Sequence, residues 1–182
     1  EAALNEVSKR SKPDISIVNS DVLKFSKGSD FNPKATVRVT NADNTVVSYT
    51  SDGSTVGVYR AAASEEVLKT LTWASDGTVS GVDSEGNSLL VSEADRAVPI
   101  DLKVSKIELV VYKTNTSGDY LLDDDGNRIQ ESIDITDSYD TTENTVLIEQ
   151  TGTVYVTYTA TDQYNVCSVK TIAYAVDDVL DK

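Results

Sequence analysis

The chain of 182 residues contains no histidine. This absence excludes Ser-His-Asp and Cys-His nucleophile systems and removes a common zinc ligand. The single cysteine, Cys167, excludes an intrachain disulfide, and we expect it to be a small buried side chain on a strand. Because no pattern of catalytic residues stands out, we expect a protein that is not an enzyme.

Long apolar runs are also missing. The sequence has no segment long enough to cross a membrane and no signal peptide, so direct membrane insertion is not expected. The chain begins at Glu1, which is expected to be a processed terminus or the edge of an excised fragment. A mature secreted protein, or part of a larger multi-domain chain or assembly, would have these features.

Basic residues are scarce. Sixteen Lys and Arg stand against thirty Asp and Glu, which leaves a formal net charge of −14. Such a chain repels phosphate backbones, so nucleic acid is not an expected partner. The excess of carboxylates fits a chain that stays in solution and recruits divalent cations.

What the sequence does contain is alternation. From Gly152 to Asp162, β-branched and aromatic residues recur with a period of two, the pattern of a strand with one buried face. The residues predicted to form this core are Val154, Val156, Tyr158 and Ala160. A second alternating run, Val166 to Val176, completes a hairpin at the centre of a sheet. The Tyr158 hydroxyl should reach a backbone partner near the sheet edge.

Many short strands separated by turn residues predict an all-β chain built of antiparallel sandwiches. Pro13 and Pro99 each lead an alternating stretch, so we predict a lead-in at residues 1–12, one module at 13–95 and a second at 96–182. The alternative is one sandwich with a large β-rich insertion. Residues 61–71 fit a short helix or a strand, and Trp73 should lie in the first core.

Two stretches carry a family resemblance. Gly28-Ser29-Asp30-Phe31-Asn32-Pro33, leading to a strand that ends at Asn41, resembles the opening of bacterial surface immunoglobulin-like domains, and Gly152 to Asn165 resembles their close. In this chain Val154 replaces a usual aromatic, and Asn165 replaces the turn glycine. Asn tolerates positive φ, so that turn should survive.

The resemblance implies tandem immunoglobulin-like sandwiches and a non-catalytic structural or adhesion module of a cell-surface or secreted protein. Such a module acts as a stalk or as a protein- or glycan-binding unit, and its location is extracellular or at the cell surface. A binding role predicts exposed aromatics clustered on one sheet or loop end. The alternative is an immunoglobulin-like structural or decoration component of a bacteriophage virion.

One acidic run offers metal ligands. Asp123, Asp125 and Asn127 lie in a turn whose oxygens suit calcium, although the spacing of a full EF-hand loop is absent. The competing interpretation is a solvated hairpin turn. No other cofactor is expected. Tyr164, in the loop of the closing hairpin, is a candidate surface contact.

Overall fold

The computed structural model describes residues 12–61 and 64–177, and in these ranges every regular element longer than four residues is a β-strand. The chain is therefore all-β, as predicted. The predicted lead-in, residues 1–12, lies outside the described residues except for Lys12. The strands are β1 (Asp14–Ile17), β2 (Lys24–Ser26), β3 (Asp30–Phe31), β4 (Val37–Thr40), β5 (Val46–Tyr49), β6 (Thr55–Arg60), β7 (Val67–Trp73), β8 (Val79–Asp83), β9 (Ser88–Leu89), β10 (Ile100–Tyr112), β11 (Gln130–Asp134), β12 (Val146–Leu147), β13 (Gly152–Asp162) and β14 (Cys167–Asp177).

Short 3₁₀ helices fill some of the connections between strands. They span Ser20–Leu23, Pro33–Thr36, Ala94–Arg96 and Thr136–Ser138. No helix of the described residues is long and apolar enough to cross a membrane.

The strands form three sheets. Seven strands pair in the order β1-β4-β5-β6-β7-β8-β9, five in the order β11-β10-β13-β14-β2, and β12 pairs with β3. The seven-stranded sheet is antiparallel throughout. From β4 to β9 each strand pairs with the next one along the chain, whereas β1 pairs with β4 across the intervening β2 and β3. The pairing of β2 with β14 is parallel. Several antiparallel sheets, each with one buried face, are consistent with β-sandwich packing.

The long strands follow the alternation of the sequence. In β13, Val154, Val156, Tyr158 and Ala160 are all fully buried. In β10 the buried positions change phase, because Ser105 and Lys106 are consecutive exposed residues. One extra residue of this kind is typical of a β-bulge, which keeps apolar side chains inward on both sides of it.

The chain groups into two compact units made of interleaved segments. Within the described residues, the first holds everything up to Val18 together with Lys34–Lys103 and Tyr158–Lys170, and the second holds Asn19–Pro33, Val104–Thr157 and the segment from Thr171. The core of the first unit includes Ile15, Val37, Val39, Val47, Leu71, Trp73, Ile100, Leu102, Tyr158 and Ala160. That of the second includes Phe31, Ile107, Leu109, Val111, Val146, Ile148, Val154, Val156, Ile172, Tyr174 and Val176. The module boundary between residues 95 and 96 stays a prediction.

Two local expectations have clear outcomes. Residues 67–73 form strand β7 and not a helix, and they place Trp73, 6% exposed, in the core. Cys167 was expected to be buried, and this is wrong: it is exposed. In β14 the buried positions are Ile172, Tyr174 and Val176, so an odd-numbered residue such as Cys167 lies on the opposite face of the strand.

Candidate functional site

One type of five-residue turn recurs along the chain. In each copy the first residue's N–H donates to the carbonyl of the fifth, and the fourth residue's N–H donates to the carbonyl of the first. The fourth residue always has positive φ, between 65° and 93°, and is glycine or asparagine. Among the described residues the turn occurs at 41–45, 50–54, 74–78, 83–87, 115–119, 123–127 and 162–166. The Asn165 turn therefore forms without glycine.

Side chains reinforce these turns. In four of them Oδ1 of the first residue accepts the N–H groups of the third and the fifth, at 2.8 to 3.0 Å. These first residues are Asp83, Asn115, Asp123 and Asp162. A carboxylate accepts such bonds better than a neutral acid does, so the N–H of Asn87 holds the pKa of Asp83 below its usual value.

The proposed calcium ligands lie in one of these turns. Oδ1 of Asp123 accepts from the backbone N–H of Asp125 and of Asn127, each at 2.9 Å, and all three residues are exposed. The carboxylate thus closes the turn, as the solvated-hairpin interpretation requires. Across the residues that the structure describes, no group of three or more acidic or cysteine side chains is placed to hold a metal. Calcium binding stays a prediction.

The first unit brings the two resemblance motifs into contact. The Tyr158 hydroxyl, on the buried face of β13, lies 3.4 Å from Oγ1 of Thr36. Thr36 is the last residue of the 3₁₀ helix that begins at Pro33. The sequence predicts a backbone partner for this hydroxyl, and the structure places a threonine hydroxyl within reach. On the same unit, the Lys170 ammonium donates to the Ile15 carbonyl at 2.9 Å, and the Ser168 hydroxyl donates to that of Pro13 at 2.6 Å.

The second unit also joins an early segment of the chain to a late one, through an aromatic cluster. Phe31 stacks on Phe25 with ring centroids 4.2 Å apart and meets Tyr174 edge-on at 4.9 Å. Beside this cluster the backbone N–H of Lys27 donates to the Asp177 carbonyl at 2.8 Å. Offset and edge-on ring pairs add to the area that they bury, so this cluster holds β2 and β3 against the end of β14.

A concave feature with aromatic walls also belongs to the second unit. It is a cleft of about 630 Å³, which we call the Tyr112 cleft. Its lining comprises Lys27, Val111, Tyr112, Thr114, Gly118, Tyr120, Arg128, Glu149, Gln150, Thr151, Gly152, Thr153, Val176 and Asp177. Tyr112 and Tyr120 are 45% and 47% exposed, so each ring presents surface to solvent.

The aromatic wall of the Tyr112 cleft is an ordered cluster. The rings of Tyr112 and Tyr120 meet edge to face at 5.8 Å. The Arg128 guanidinium lies 3.9 Å from the Tyr120 ring centre and 5.5 Å from that of Tyr112. Cation–π attraction of this kind contributes about 0.5–1 kcal/mol at an exposed site, and it fixes where the guanidinium sits.

Two consecutive turns place this cluster. Tyr120 directly follows the turn at 115–119, and Arg128 directly follows the turn at 123–127. Tyr120 forms an antiparallel β-bridge with Thr114, and Arg128 forms one with Leu122. Tyr120 and Arg128 therefore occupy the same position relative to their turns. Sequence reasoning missed this cluster. The available signal was the repeated Asn/Asp-x-x-Gly spacing, with Tyr and Arg two residues after the glycine each time.

No protein-family model, curated protein or solved structure matches the chain. The immunoglobulin-like resemblance stays a prediction. It rests on the two sequence motifs alone.

Proposed function

We propose that the chain is a non-catalytic structural and adhesion module of a bacterial cell-surface or secreted protein, and that it bears load as part of a stalk. The observation that carries this proposal is the parallel pairing of β2 with β14. Lys24, Phe25 and Ser26 pair with Ala175, Val176 and Asp177.

Parallel pairing decides how these strands respond to tension. A pull on the N-terminal side draws β2 toward its own start, and a pull on the C-terminal side draws β14 toward its own end. Because the strands are parallel, these directions are opposite along the strand axis. All their hydrogen bonds are then loaded together in shear, whereas an antiparallel pair pulled from one end opens bond by bond.

The short turns support the same role. Among the described residues, seven turns of one type, several closed by a side-chain oxygen, leave little slack between the strands that they join. Adhesion is supported by a separate observation, the exposed Tyr112, Tyr120 and Arg128 cluster, which matches the expectation of aromatics gathered at one place.

Single-molecule pulling between the two ends of the chain tests the stalk proposal. The Lys27→Pro variant removes the N–H that donates to the Asp177 carbonyl, and Lys27→Ala is the matched control that keeps this N–H. We expect a lower unfolding force for Lys27→Pro and an unchanged force for Lys27→Ala. Thermal unfolding without force, followed by circular dichroism, verifies that both variants fold. If the folded Lys27→Pro variant unfolds at the same force as the wild-type protein, β2 does not bear the load.

A further inference from the structure

We propose that the Tyr112 cleft binds a neutral oligosaccharide. The proposal rests on the adhesion half of the proposed function and is independent of the load-bearing half.

The aromatic wall suits a sugar ring. A pyranose presents a patch of C–H groups on one face and hydroxyls around its rim. Tyrosine offers a flat apolar ring that packs on the C–H patch and a hydroxyl that bonds to the sugar hydroxyls. Tyr112 and Tyr120 are half exposed and already locked against each other and against Arg128. Because these rings are ordered by one another, little side-chain freedom is lost when a ligand stacks on them.

The polar lining suits hydroxyl groups. Arg128 and Lys27 are donors, Glu149 and Asp177 are acceptors, and Gln150 supplies both functions. Vicinal sugar hydroxyls donate and accept at once, so a wall of mixed donors and acceptors can satisfy them. A purely apolar ligand would displace water from these groups without replacing its hydrogen bonds, which costs free energy.

Charge balance selects against ionic ligands. Two cationic and two anionic side chains line the cleft, although the whole chain carries −14. The Lys24 ammonium approaches the Asp177 carboxylate at 4.0 Å, which offsets that acid further. An anionic sugar would meet the Glu149 carboxylate and the repulsive field of the chain. A neutral glycan meets no such penalty.

The size agrees with a short saccharide. About 630 Å³ lies within the range of roughly 300–1,000 Å³ typical of small-molecule sites. The cleft is open at its mouth, where half-exposed rings face solvent, so an oligosaccharide can continue out of it. Such a site would bind a terminal or an internal segment of a longer surface glycan.

The test titrates the full chain with lactose, maltotriose and N,N′-diacetylchitobiose, followed by amide chemical shifts in NMR. At least one of these probes should give saturable shifts at residues of the Tyr112 cleft. Tyr120→Ala should weaken that binding about tenfold, the equivalent of one lost aromatic contact. Tyr120→Phe, which keeps the ring, should stay within about threefold of wild type by the same reasoning. The matched control is Tyr164→Ala, which removes a more exposed tyrosine, 60% accessible, from a turn of the first unit and should change nothing.

Three results would overturn the proposal. They are the absence of saturable shifts with all three probes, undiminished affinity in a folded Tyr120→Ala variant, or tighter binding of 3′-sialyllactose than of lactose. Affinity for a neutral sugar should also be insensitive to ionic strength, because no net charge is neutralised. If these titrations fail while Lys27→Pro still lowers the unfolding force, only the glycan site is lost and the stalk proposal stands.

Discussion

Gly152, the first residue of β13, lies against the backbone of the neighbouring strand. A Cβ at this position would be far inside van der Waals contact with the Val110 carbonyl oxygen, and 3.1 Å from Cγ1 of Val111. Backbone cannot rotate away as a flexible side chain does. The glycine is therefore required by close approach of two strands.

Gly152→Ala should lower the free energy of unfolding by about 3 kcal/mol, the upper end of the usual cost of overpacking. Gly118→Ala is the control, because its φ is 89° but a Cβ there would meet nothing within 4 Å. It should cost only the left-handed backbone penalty, about 1 kcal/mol. Urea unfolding of the two variants measures both. A smaller loss for Gly152→Ala than for Gly118→Ala would contradict the contact with Val110.

At the scale of elements, the turns link stability to pH. Three turn aspartates have lowered pKa values: Asp52 mainly through the Thr50 hydroxyl, Asp76 through the N–H of Thr78, and Asp83 through the N–H of Asn87. In each case the folded chain favours the ionised form. Their contribution to stability is thus complete above the ordinary pKa of 3.8 and is lost as the pH falls through the lowered folded value.

The triple variant Asp52→Asn, Asp76→Asn, Asp83→Asn should respond less to acid than wild type. Asparagine keeps Oδ1 as an acceptor at every pH, so the turns remain closed while their titration disappears. We expect the midpoint of urea unfolding to fall between pH 5 and pH 2 in both proteins, and to fall less in the variant. Parallel curves would show that these three carboxylates do not contribute to the acid response.

At the scale of the whole molecule, the opening and closing segments depend on each other within each unit. In the second unit, β14 pairs with β2, and Tyr174 packs on Phe31. A chain limited to residues 96–182 lacks both partners.

We therefore expect a fragment of residues 96–182 not to fold on its own. Removing Phe31 from the Tyr174 ring resembles a large-to-small core substitution, worth about 3–5 kcal/mol. Circular dichroism and amide hydrogen exchange on the fragment measure this. Adding a fragment of residues 1–95 is the control, because it should restore protection of β14. A cooperative unfolding transition of the isolated 96–182 fragment would instead support the boundary at 95 and 96.

How much of this the sequence predicts depends on whether the information is local. The bounds of β10 and β13 follow directly from alternation, because a half-buried strand needs a period of two. The Asn165 turn was also predictable, since Asn is the best substitute for glycine at positive φ. The prediction for Cys167 is wrong because the residue type indicates only that cysteine tolerates burial. Its exposure is set by the face of β14 on which it lies.

Non-local features were harder to predict. The Tyr112 cleft depends on the register of the strand segments joined by the turns at 115–119 and 123–127, and on residues 149–153, far along the chain. The parallel pairing of β2 with β14 is likewise invisible to any local pattern. Periodicity reports which face of a strand is buried, but not which strand lies beside it.

The late arrival of β14 has a consequence for biosynthesis. Ser168 bonds to Pro13, and Lys170 to Ile15, each 155 positions away along the chain. A ribosome releases the first strands long before it makes the residues that complete them. Contacts of such long sequence separation form slowly, and unpaired edges meanwhile invite misassembly with neighbouring nascent chains. The carbonyls of Pro13 and Ile15 therefore gain these two partners only after Ser168 and Lys170 have been translated.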